Sequence, residues 1–195
     1  MSAAAINLTN QFLIAMPGTG GGAFAGSVVY MCEHTDKGAL GLVINKPIDI
    51  TLKNLFEKVE LSLDREDLAA APVYFGGPVQ TERGFVLHET IGSAGEDDVG
   101  YNSSLKIEGG LEMTTSKDVL EALASGAGPK RVLVTLGYSG WAAGQLEEEM
   151  GRNSWINVAA EPGIIFDTPV AERYGKALLL LGIDAGMLST AAGHA

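Results

Sequence analysis

The chain has 195 residues, of which 46% are hydrophobic, so it can bury the core of one domain. Its 24 acidic residues outnumber its 13 basic ones and give a formal net charge of −11 at pH 7. A chain this anionic repels phosphate backbones and anionic lipid, which argues against direct nucleic-acid binding and against a membrane surface. We therefore expect a protein partner or a small ligand.

Cysteine content and hydropathy narrow the class of protein further. Cys32 is the only cysteine, which excludes an internal disulfide and a zinc site built from several thiolates. No apolar run approaches the roughly 20 residues that a membrane-spanning helix needs, and residues 1–18 lack the charged start of a signal peptide. These features predict a cytoplasmic protein without a bound metal.

The first elements are a short apolar run, residues 12–16, and a glycine-rich segment, residues 18–23. The sequence GTGGGA of the second segment matches the G-x-G-x-x-A spacing of a dinucleotide-binding turn. In a Rossmann fold such a turn opens a long helix, but here the strand-like run 27–32 follows within a few residues. We interpret 18–23 as a surface loop and expect no cofactor.

Two strand-like runs, 27–32 and 39–45, are separated by a turn and predict a β-hairpin. Cys32 and His34 would share one face of the first strand at period two, as two metal ligands would. No second ligand pair is evident, so a buried thiol beside a hydrogen-bonded histidine is the simpler interpretation. Thr51 then caps a predicted amphipathic helix, whose buried stripe is Leu52, Leu55, Phe56 and Val59.

A pair of adjacent glycines lies near the middle of the chain. Residues 72–79 predict a strand that meets a turn at Gly76 and Gly77, and residues 84–89 predict a second strand. The two glycines let backbone N–H groups approach an anion, although close packing of the turn is the commoner reason for such a pair.

A second hairpin is predicted at residues 104–107 and 111–114. Thr115 and Asp118 have the spacing of a capping box and predict the start of a helix that Gly126 ends. Three further elements are predicted near the C-terminus: strands at 157–159 and 164–166, and a helix at 170–181.

The segment 131–156 is the part of the chain around which we expect the other segments to pack. Residues 132–136 are apolar on both alternating faces, which is typical of a central strand covered on two sides. Gly137 and Gly140 predict a tight exit from that strand. Residues 142–150 then predict a helix that lies back across the sheet.

Trp141, Gln145 and Glu148 follow the i, i+4, i+7 spacing of one helical stripe. Ligands of open α/β sheets bind where strands end, so this stripe is a candidate site. The alternative is that Trp141 is a core or lid residue and that the acids at 147–149 form a solvated face. Ser139 is not expected to be a nucleophile, because a bulky tryptophan replaces the second glycine of the G-x-S-x-G elbow.

Five short motifs are spread along the chain: FLIAMP at 12–17, GLVINKP at 41–47, FGGPV at 75–79, FVLH at 85–88 and LGYSGWAAGQLE at 136–147. Together they resemble the AlgH/YqgE family of bacterial proteins. The resemblance runs end to end and extends to LGID at 181–184 and GHA at 193–195. It departs from the family at 18–22, where relatives tend to carry acidic or proline residues.

The resemblance implies an α+β fold (mixed α/β), in which a mixed sheet is covered by helices beside a smaller α+β lobe. Residues 1–195 would form a single domain, with the lobe inserted around 50–125. The family has no established biochemical activity, and one member takes its name from an effect on alginate gene expression. The negative charge of this chain implies that such an effect is indirect.

The favoured function is a cytosolic, non-catalytic regulatory or binding protein that affects gene expression through a protein partner or a small ligand. Backbone N–H groups and a lysine would donate hydrogen bonds in its binding cleft, and an indole would form the apolar wall. Eight residues form this predicted cleft: Asn45, Lys46, Gly76, Gly77, Pro78, Trp141, Gln145 and Glu148.

The alternative function is an enzyme that acts on a small substrate in the same cleft. His88 or Glu148 would be the general base, and Lys46 would stabilise negative charge. His88 gains no support from the adjacent Glu89, because neighbouring strand residues point to opposite faces.

Overall fold

The structure is a computed structural model, and it describes residues 7–16, 24–89, 101–126 and 128–183. Two features that the sequence singles out, the glycine segment 18–23 and the C-terminal motif GHA, lie outside the described residues.

The described residues form ten β-strands, numbered in chain order: β1 (Gln11–Ala15), β2 (Val28–Thr35), β3 (Gly38–Val43), β4 (Pro47–Thr51), β5 (Pro72–Phe75), β6 (Val79–Glu89), β7 (Ser104–Ile107), β8 (Leu111–Thr114), β9 (Val132–Ala142) and β10 (Trp155–Ala159). The same residues form six helices: α1 (Leu52–Lys58), α2 (Glu66–Ala69), α3 (Lys117–Ala124), α4 (Gln145–Gly151), α5 (Pro162–Phe166) and α6 (Val170–Leu179). None of these helices is long and apolar enough to cross a bilayer.

Eight strands follow one path across a curled sheet, in the order β10-β1-β2-β3-β9-β6-β8-β7. Neighbours on this path are antiparallel. Strand β5 instead joins β9 in parallel and pairs with β4 on its other side. The sheet is therefore mixed, and the chain has the expected α+β class.

Strand β9 is central, because it pairs with β3, β5 and β6. Leu133 belongs to a large core cluster on one face of the sheet, together with Ile165 of α5 and Leu178 of α6. Val134 belongs to another cluster on the opposite face, together with Phe56 of α1 and others. The alternating apolar residues of 132–136 thus indicated correctly that this strand is covered on both faces.

Helix α1 begins as the sequence predicts. The Thr51 hydroxyl accepts a hydrogen bond from the Asn54 backbone N–H at 3.2 Å, and the Asn54 side chain accepts one from the Thr51 backbone N–H at 3.2 Å. This reciprocal pair satisfies two N–H groups that a helix leaves without intrahelical partners. Leu52 and Phe56 are buried on the inner stripe of the helix.

The predicted turn after residue 136 is wrong. Strand β9 continues to Ala142, and α4 begins only at Gln145. Gly137 has φ +79° and bends the strand without ending it, near the point where β9 exchanges β5 for β3 as its partner on one edge. Trp141 consequently lies on a strand, and the predicted helical stripe that includes it does not form.

Two other local predictions are also wrong. Residues 164–166 lie in helix α5, which starts with Pro162 at a first-turn position that suits proline. Helix α3 begins at Lys117 after Ser116, whose hydroxyl donates to the Asp118 carboxylate instead of accepting from the helix backbone. The predicted capping box at Thr115 is therefore absent.

Candidate functional site

An open cleft of about 570 Å³ lies where the β2–β3 hairpin meets the end of β9. We call it the mouth cleft. The exposed polar residues that line it are Glu33, Thr35 and Lys37. The half-buried apolar residues that line it are Leu40, Val79 and Tyr138.

A β-bulge in β2 orients the polar wall of the mouth cleft. The register between β2 and β3 shifts between Met31 and Glu33, and Glu33 then pairs with Leu40. Residues directly opposite in an antiparallel pair share a face, so the Glu33 carboxylate and the Leu40 side chain point to the same side. The bulge thus places an acid over the apolar surface of the cleft.

The same bulge separates Cys32 from His34. Cys32 packs in the large core cluster, where burial raises the pKa of its thiol. His34 faces the other side of the sheet, and its Nδ1 accepts a hydrogen bond from the Leu8 backbone N–H at 3.1 Å. Its Nε2 then carries the proton and donates to Glu147 of α4. The prediction that Cys32 and His34 share a face is therefore wrong, whereas a buried thiol and a hydrogen-bonded histidine are confirmed.

Gly140 keeps the mouth cleft open from the β9 side. A Cβ atom at this position would lie 3.1 Å from the ring edge of Tyr138 and 3.8 Å from a methyl group of Val79, two residues of the cleft. A larger side chain at Gly140 would therefore project into the cleft. The ring of Tyr138 is itself fixed against Phe85 in an edge-to-face contact at 5.4 Å.

On the opposite face of β9, a carboxylate holds two indole rings. Oε1 of Glu149 accepts hydrogen bonds from Nε1 of Trp141 at 3.1 Å and from Nε1 of Trp155 at 2.9 Å. Its Oε2 accepts from the side-chain amide of Gln145 at 3.0 Å. Phe24 stacks on Trp141 with ring centroids 6.3 Å apart. We call this group the indole–carboxylate cluster, and it attaches α4 to the sheet behind the mouth cleft.

The predicted site residues divide between this cluster and three other places. Trp141 and Gln145 meet at Glu149, and the indole of Trp141 is buried, as the alternative interpretation as a core residue required. Glu148 lies on the exposed side of α4 and forms an ion pair with Arg152. The sequence reasoning missed Glu149, although its spacing of four residues from Gln145 was a usable signal.

Asn45 and Lys46 connect the start of β2 and the end of β5. The Asn45 side chain accepts from the Val28 backbone N–H at 2.9 Å and donates to the Gly26 carbonyl at 2.9 Å. The Lys46 carbonyl accepts from the Phe75 backbone N–H at 2.7 Å. These contacts fix the backbone at the end of β3.

Gly76 and Gly77 allow β5 to cross closely over β9, and the exposed Pro78 follows them. The Gly76 N–H donates to the Leu136 carbonyl at 3.0 Å, and the Gly76 carbonyl accepts from the Ser139 hydroxyl at 3.0 Å. A Cβ atom at Gly77 would collide with the backbone of Tyr138. The backbone groups of Gly76 that an anion would need are therefore engaged, and close packing explains the glycine pair.

His88 lies in the sheet interior and makes two hydrogen bonds. Its Nδ1 is 2.8 Å from the Glu89 carbonyl, which accepts only, so Nδ1 carries a proton. Its Nε2 is 2.7 Å from the Thr114 hydroxyl, which in turn contacts the Ser104 hydroxyl at 2.7 Å. Burial lowers the pKa of His88, with opposing contributions from the Glu89 carbonyl and Glu112. Nε2 of the neutral ring therefore accepts a hydrogen bond from the Thr114 hydroxyl.

Within the described ranges, no group of three or more His, Cys, Asp or Glu side chains is arranged to hold a metal ion.

Comparisons with known proteins agree with the family resemblance that the five short sequence motifs indicate. The AlgH-like family model matches residues 12–186. A UPF0301 protein of Verminephrobacter eiseniae is 64% identical over 197 residues, which cover 100% of this chain and 98% of the relative. A UPF0301 protein of Burkholderia ambifaria is 64% identical over 190 residues, which cover 97% and 96%.

Solved structures share the fold. The solution structure of the AlgH protein from Pseudomonas aeruginosa is 42% identical, covers 97% of this chain and 96% of its own, and superposes with a TM-score of 0.77. A crystal structure of a protein from Corynebacterium diphtheriae, 21% identical, covers 90% and 87% with a TM-score of 0.67, which shows the fold alone. The extent of these matches shows that the chain belongs to the AlgH-like family.

Proposed function

We propose that this chain is a cytosolic, non-catalytic binding protein that binds a segment of a partner protein in the mouth cleft and thereby acts indirectly on gene expression. The observation that supports this proposal is the mouth cleft, where exposed polar side chains lie beside half-buried apolar ones. Aromatic and aliphatic surface with a polar rim is typical of recognition surfaces.

The shape of the mouth cleft favours a protein segment over a small molecule. Small-molecule sites enclose most of the ligand surface, whereas this cleft of about 570 Å³ is open to solvent along one side. Its rim carries one carboxylate, Glu33, and one ammonium group, Lys37. A partner segment with charges of both signs would complement such a rim.

The overall charge supports an indirect route to gene expression. A net charge of −11 opposes close approach to a phosphate backbone, whereas it favours association with a basic protein surface. Among the described residues that line the cleft, Lys37 is the single cation, which is far from the basic footprint of a nucleic-acid-binding surface.

The contacts of the predicted general bases favour binding over catalysis. Both ring nitrogens of His88 are engaged with interior groups of the protein, and Glu148 forms an ion pair on an exposed helix face. A general base must reach a substrate proton within hydrogen-bond distance. His88 would have to break its bond to Thr114 first.

The finer part of the fold prediction also remains a proposal. We propose that residues around 50–125 form the smaller lobe and that helices cover much of the sheet. The core cluster that contains Val134 and Phe56 supports this view, because its members Leu52, Leu68 and Leu123 bring α1, α2 and α3 onto one face of β6 and β9.

The test is to fill the mouth cleft without disturbing the fold. We expect Gly140→Leu to project a side chain beside Tyr138, since the backbone of Gly140 does not lie in the left-handed region. Tagged wild-type and Gly140→Leu proteins would be returned to native cytosol, and the co-purifying proteins quantified by mass spectrometry. Partners enriched by the wild type should be lost from the variant.

The matched control is Gly151→Leu. Gly151 ends helix α4, and a Cβ atom there meets no other atom within 4 Å. This variant should retain every partner that the wild type binds. If a folded Gly140→Leu protein captured the same partners at the same yield as Gly151→Leu, the mouth cleft would not be the binding surface.

A further inference from the structure

A second cavity lies on the other face of the sheet, between α1 and α3. Its volume is about 270 Å³. We call it the α1–α3 pocket. Its apolar walls come from both helices and from β6 and β9: Leu55, Val59, Leu120, Val86, Val134 and Leu136.

Gly84 leaves room in this pocket. It pairs with Leu136 across β6 and β9, so a side chain at this position would lie on the same face as the pocket wall. A Cβ atom at Gly84 would approach one atom, the Thr135 carbonyl oxygen, at 4.0 Å, and the backbone of Gly84 is not left-handed. The strand geometry does not require this glycine, and its effect is to keep the pocket open.

One end of the pocket is polar, and the pocket lining carries one side chain of each charge. Thr115 and Lys117 line that end, and Arg83 donates to the Thr115 hydroxyl at 3.3 Å. Glu82 also lines the pocket. Arg83 lies outside the lining, over the Phe85 ring, and the Thr115 hydroxyl accepts its hydrogen bond and so keeps its own proton to donate. The Lys117 ammonium and the Thr115 hydroxyl can therefore both donate to an acceptor with a single negative charge.

Hydrogen bonds with neighbouring residues fix the pocket wall next to this polar end. Thr114 lines the pocket, and its hydroxyl is fixed between His88 and Ser104, each at 2.7 Å. The carboxylate of Asp118 is likewise engaged, since it accepts from the Asn102 backbone N–H at 2.8 Å and from the Ser116 hydroxyl. A pre-formed wall lowers the entropic cost of binding a small ligand.

We propose that the α1–α3 pocket binds a small monocarboxylic acid, with its apolar chain between the two helices and its carboxylate at Lys117 and the Thr115 hydroxyl. The volume equals that of about nine water molecules at roughly 30 Å³ each, which suits a ligand of about nine heavy atoms. This site is separate from the mouth cleft, and neither proposal depends on the other.

The experiment titrates ¹⁵N- and methyl-labelled protein with straight-chain carboxylates from butanoate to dodecanoate. Burial of one methylene contributes about 0.8 kcal/mol, so each added methylene should tighten binding about fourfold until the pocket is full. We expect the gain to stop near seven or eight carbons, because the two carboxylate oxygens then bring the ligand to about nine or ten heavy atoms. The shifted signals should include the methyl groups of Leu55, Val86 and Leu120.

Charge variants test the orientation of the ligand. Lys117→Gln should weaken octanoate binding about two- to fivefold, as expected for an exposed ion pair, and Glu82→Gln should tighten it by a similar factor. The matched control is Lys53→Gln, which removes a lysine of α1 that lies outside the pocket lining and should change nothing. Octylammonium should bind more weakly than octanoate.

Gly84→Val fills the pocket and should weaken octanoate at least tenfold, whereas Gly140→Leu should leave octanoate binding unchanged. The melting temperature and the amide spectrum of each variant establish that it is folded. The proposal is overturned if affinity does not depend on chain length, if octylammonium binds as tightly as octanoate, or if folded Gly84→Val retains wild-type affinity. Loss of partner capture in Gly140→Leu with intact octanoate binding would separate the two proposals.

Discussion

Replacing Glu149 by alanine removes the acceptor that connects α4 to two strands. Its carboxylate receives N–H groups from Trp141 of β9 and Trp155 of β10, and from Gln145 at the start of α4. Both indole rings are buried, so their N–H groups lose a partner in a place that water reaches poorly. We therefore expect Glu149→Ala to destabilise the protein more than its half-exposed position suggests.

The magnitude follows from the contacts. A hydrogen bond to a charged group contributes about 1.5–3 kcal/mol, but solvent near the half-exposed carboxylate replaces part of the three bonds. A loss of about 3 kcal/mol in the free energy of unfolding is the expected result. For a chain of this length, 1 kcal/mol corresponds to a shift of roughly 2–4 °C in melting temperature, so the expected shift is about 6–12 °C. Glu149→Gln keeps an acceptor oxygen and should cost about 1 kcal/mol.

Tryptophan fluorescence provides a direct assay, because the chain contains two tryptophans and both donate to Glu149. Thermal and urea unfolding followed by this emission should show the full shift. The matched control is Glu148→Ala, which removes an exposed i,i+4 ion pair and should cost less than about 0.5 kcal/mol. Equal melting temperatures for the two variants would refute the reasoning about the indole–carboxylate cluster.

Three further predictions follow from other buried groups. Burial lowers the pKa of His88, so the unfolded chain binds a proton at this histidine more readily than the folded chain does. The free energy of unfolding should therefore fall as the pH drops below about 6.5. Urea titrations should show a weaker pH dependence of stability in His88→Gln. Gly77→Ala should lower the free energy of unfolding by more than about 3 kcal/mol, because the new Cβ collides with the backbone of Tyr138. Gly26→Ala should lower it by about 1–2 kcal/mol, because φ of +70° is left-handed but the Cβ meets no neighbour. Chemical denaturation of both variants measures the difference. Cys32 is buried and its thiol pKa is raised, so a thiol reagent should react with it only at the rate of unfolding, and rapid labelling of the native protein would contradict this.

Hydrophobic periodicity and capping residues were enough to predict the elements that are stabilised by residues close together in the sequence. The stripe of α1 and its Thr51 cap are both visible in the sequence, because the interacting residues are three or four positions apart. The two-sided burial of β9 was also readable, since its alternating residues are apolar on both faces. In these cases each signal lies within the segment that it predicts.

The errors occur where a distant partner overrides the local pattern. Gly137 and Gly140 are typical of a turn, yet β3 pairs with β9 beyond them and keeps the chain extended to Ala142. The β-bulge after Met31 turns His34 away from Cys32, and nothing within the strand itself marks that extra residue. The position of these side chains depends on pairing that the sequence does not display.

The candidate site could be predicted only in part. Within residues 136–147, Tyr138 and Gly140 line the mouth cleft. The choice of this segment as a functional region stays a prediction. Glu33 and Lys37 were not found, because the hairpin that carries them reaches the cleft through the pairing of β3 with β9. The grouping of Asn45 and Gly76 with this region stays a prediction.

The central claim is that the mouth cleft receives a segment of a partner protein. The most direct measurement adds the dominant co-purifying protein to ¹⁵N-labelled chain and maps the amide shifts. The account predicts that the largest shifts fall on Leu40, Tyr138 and Gly140, and that Gly140→Leu abolishes them. Saturable shifts confined to residues outside the mouth cleft would contradict it.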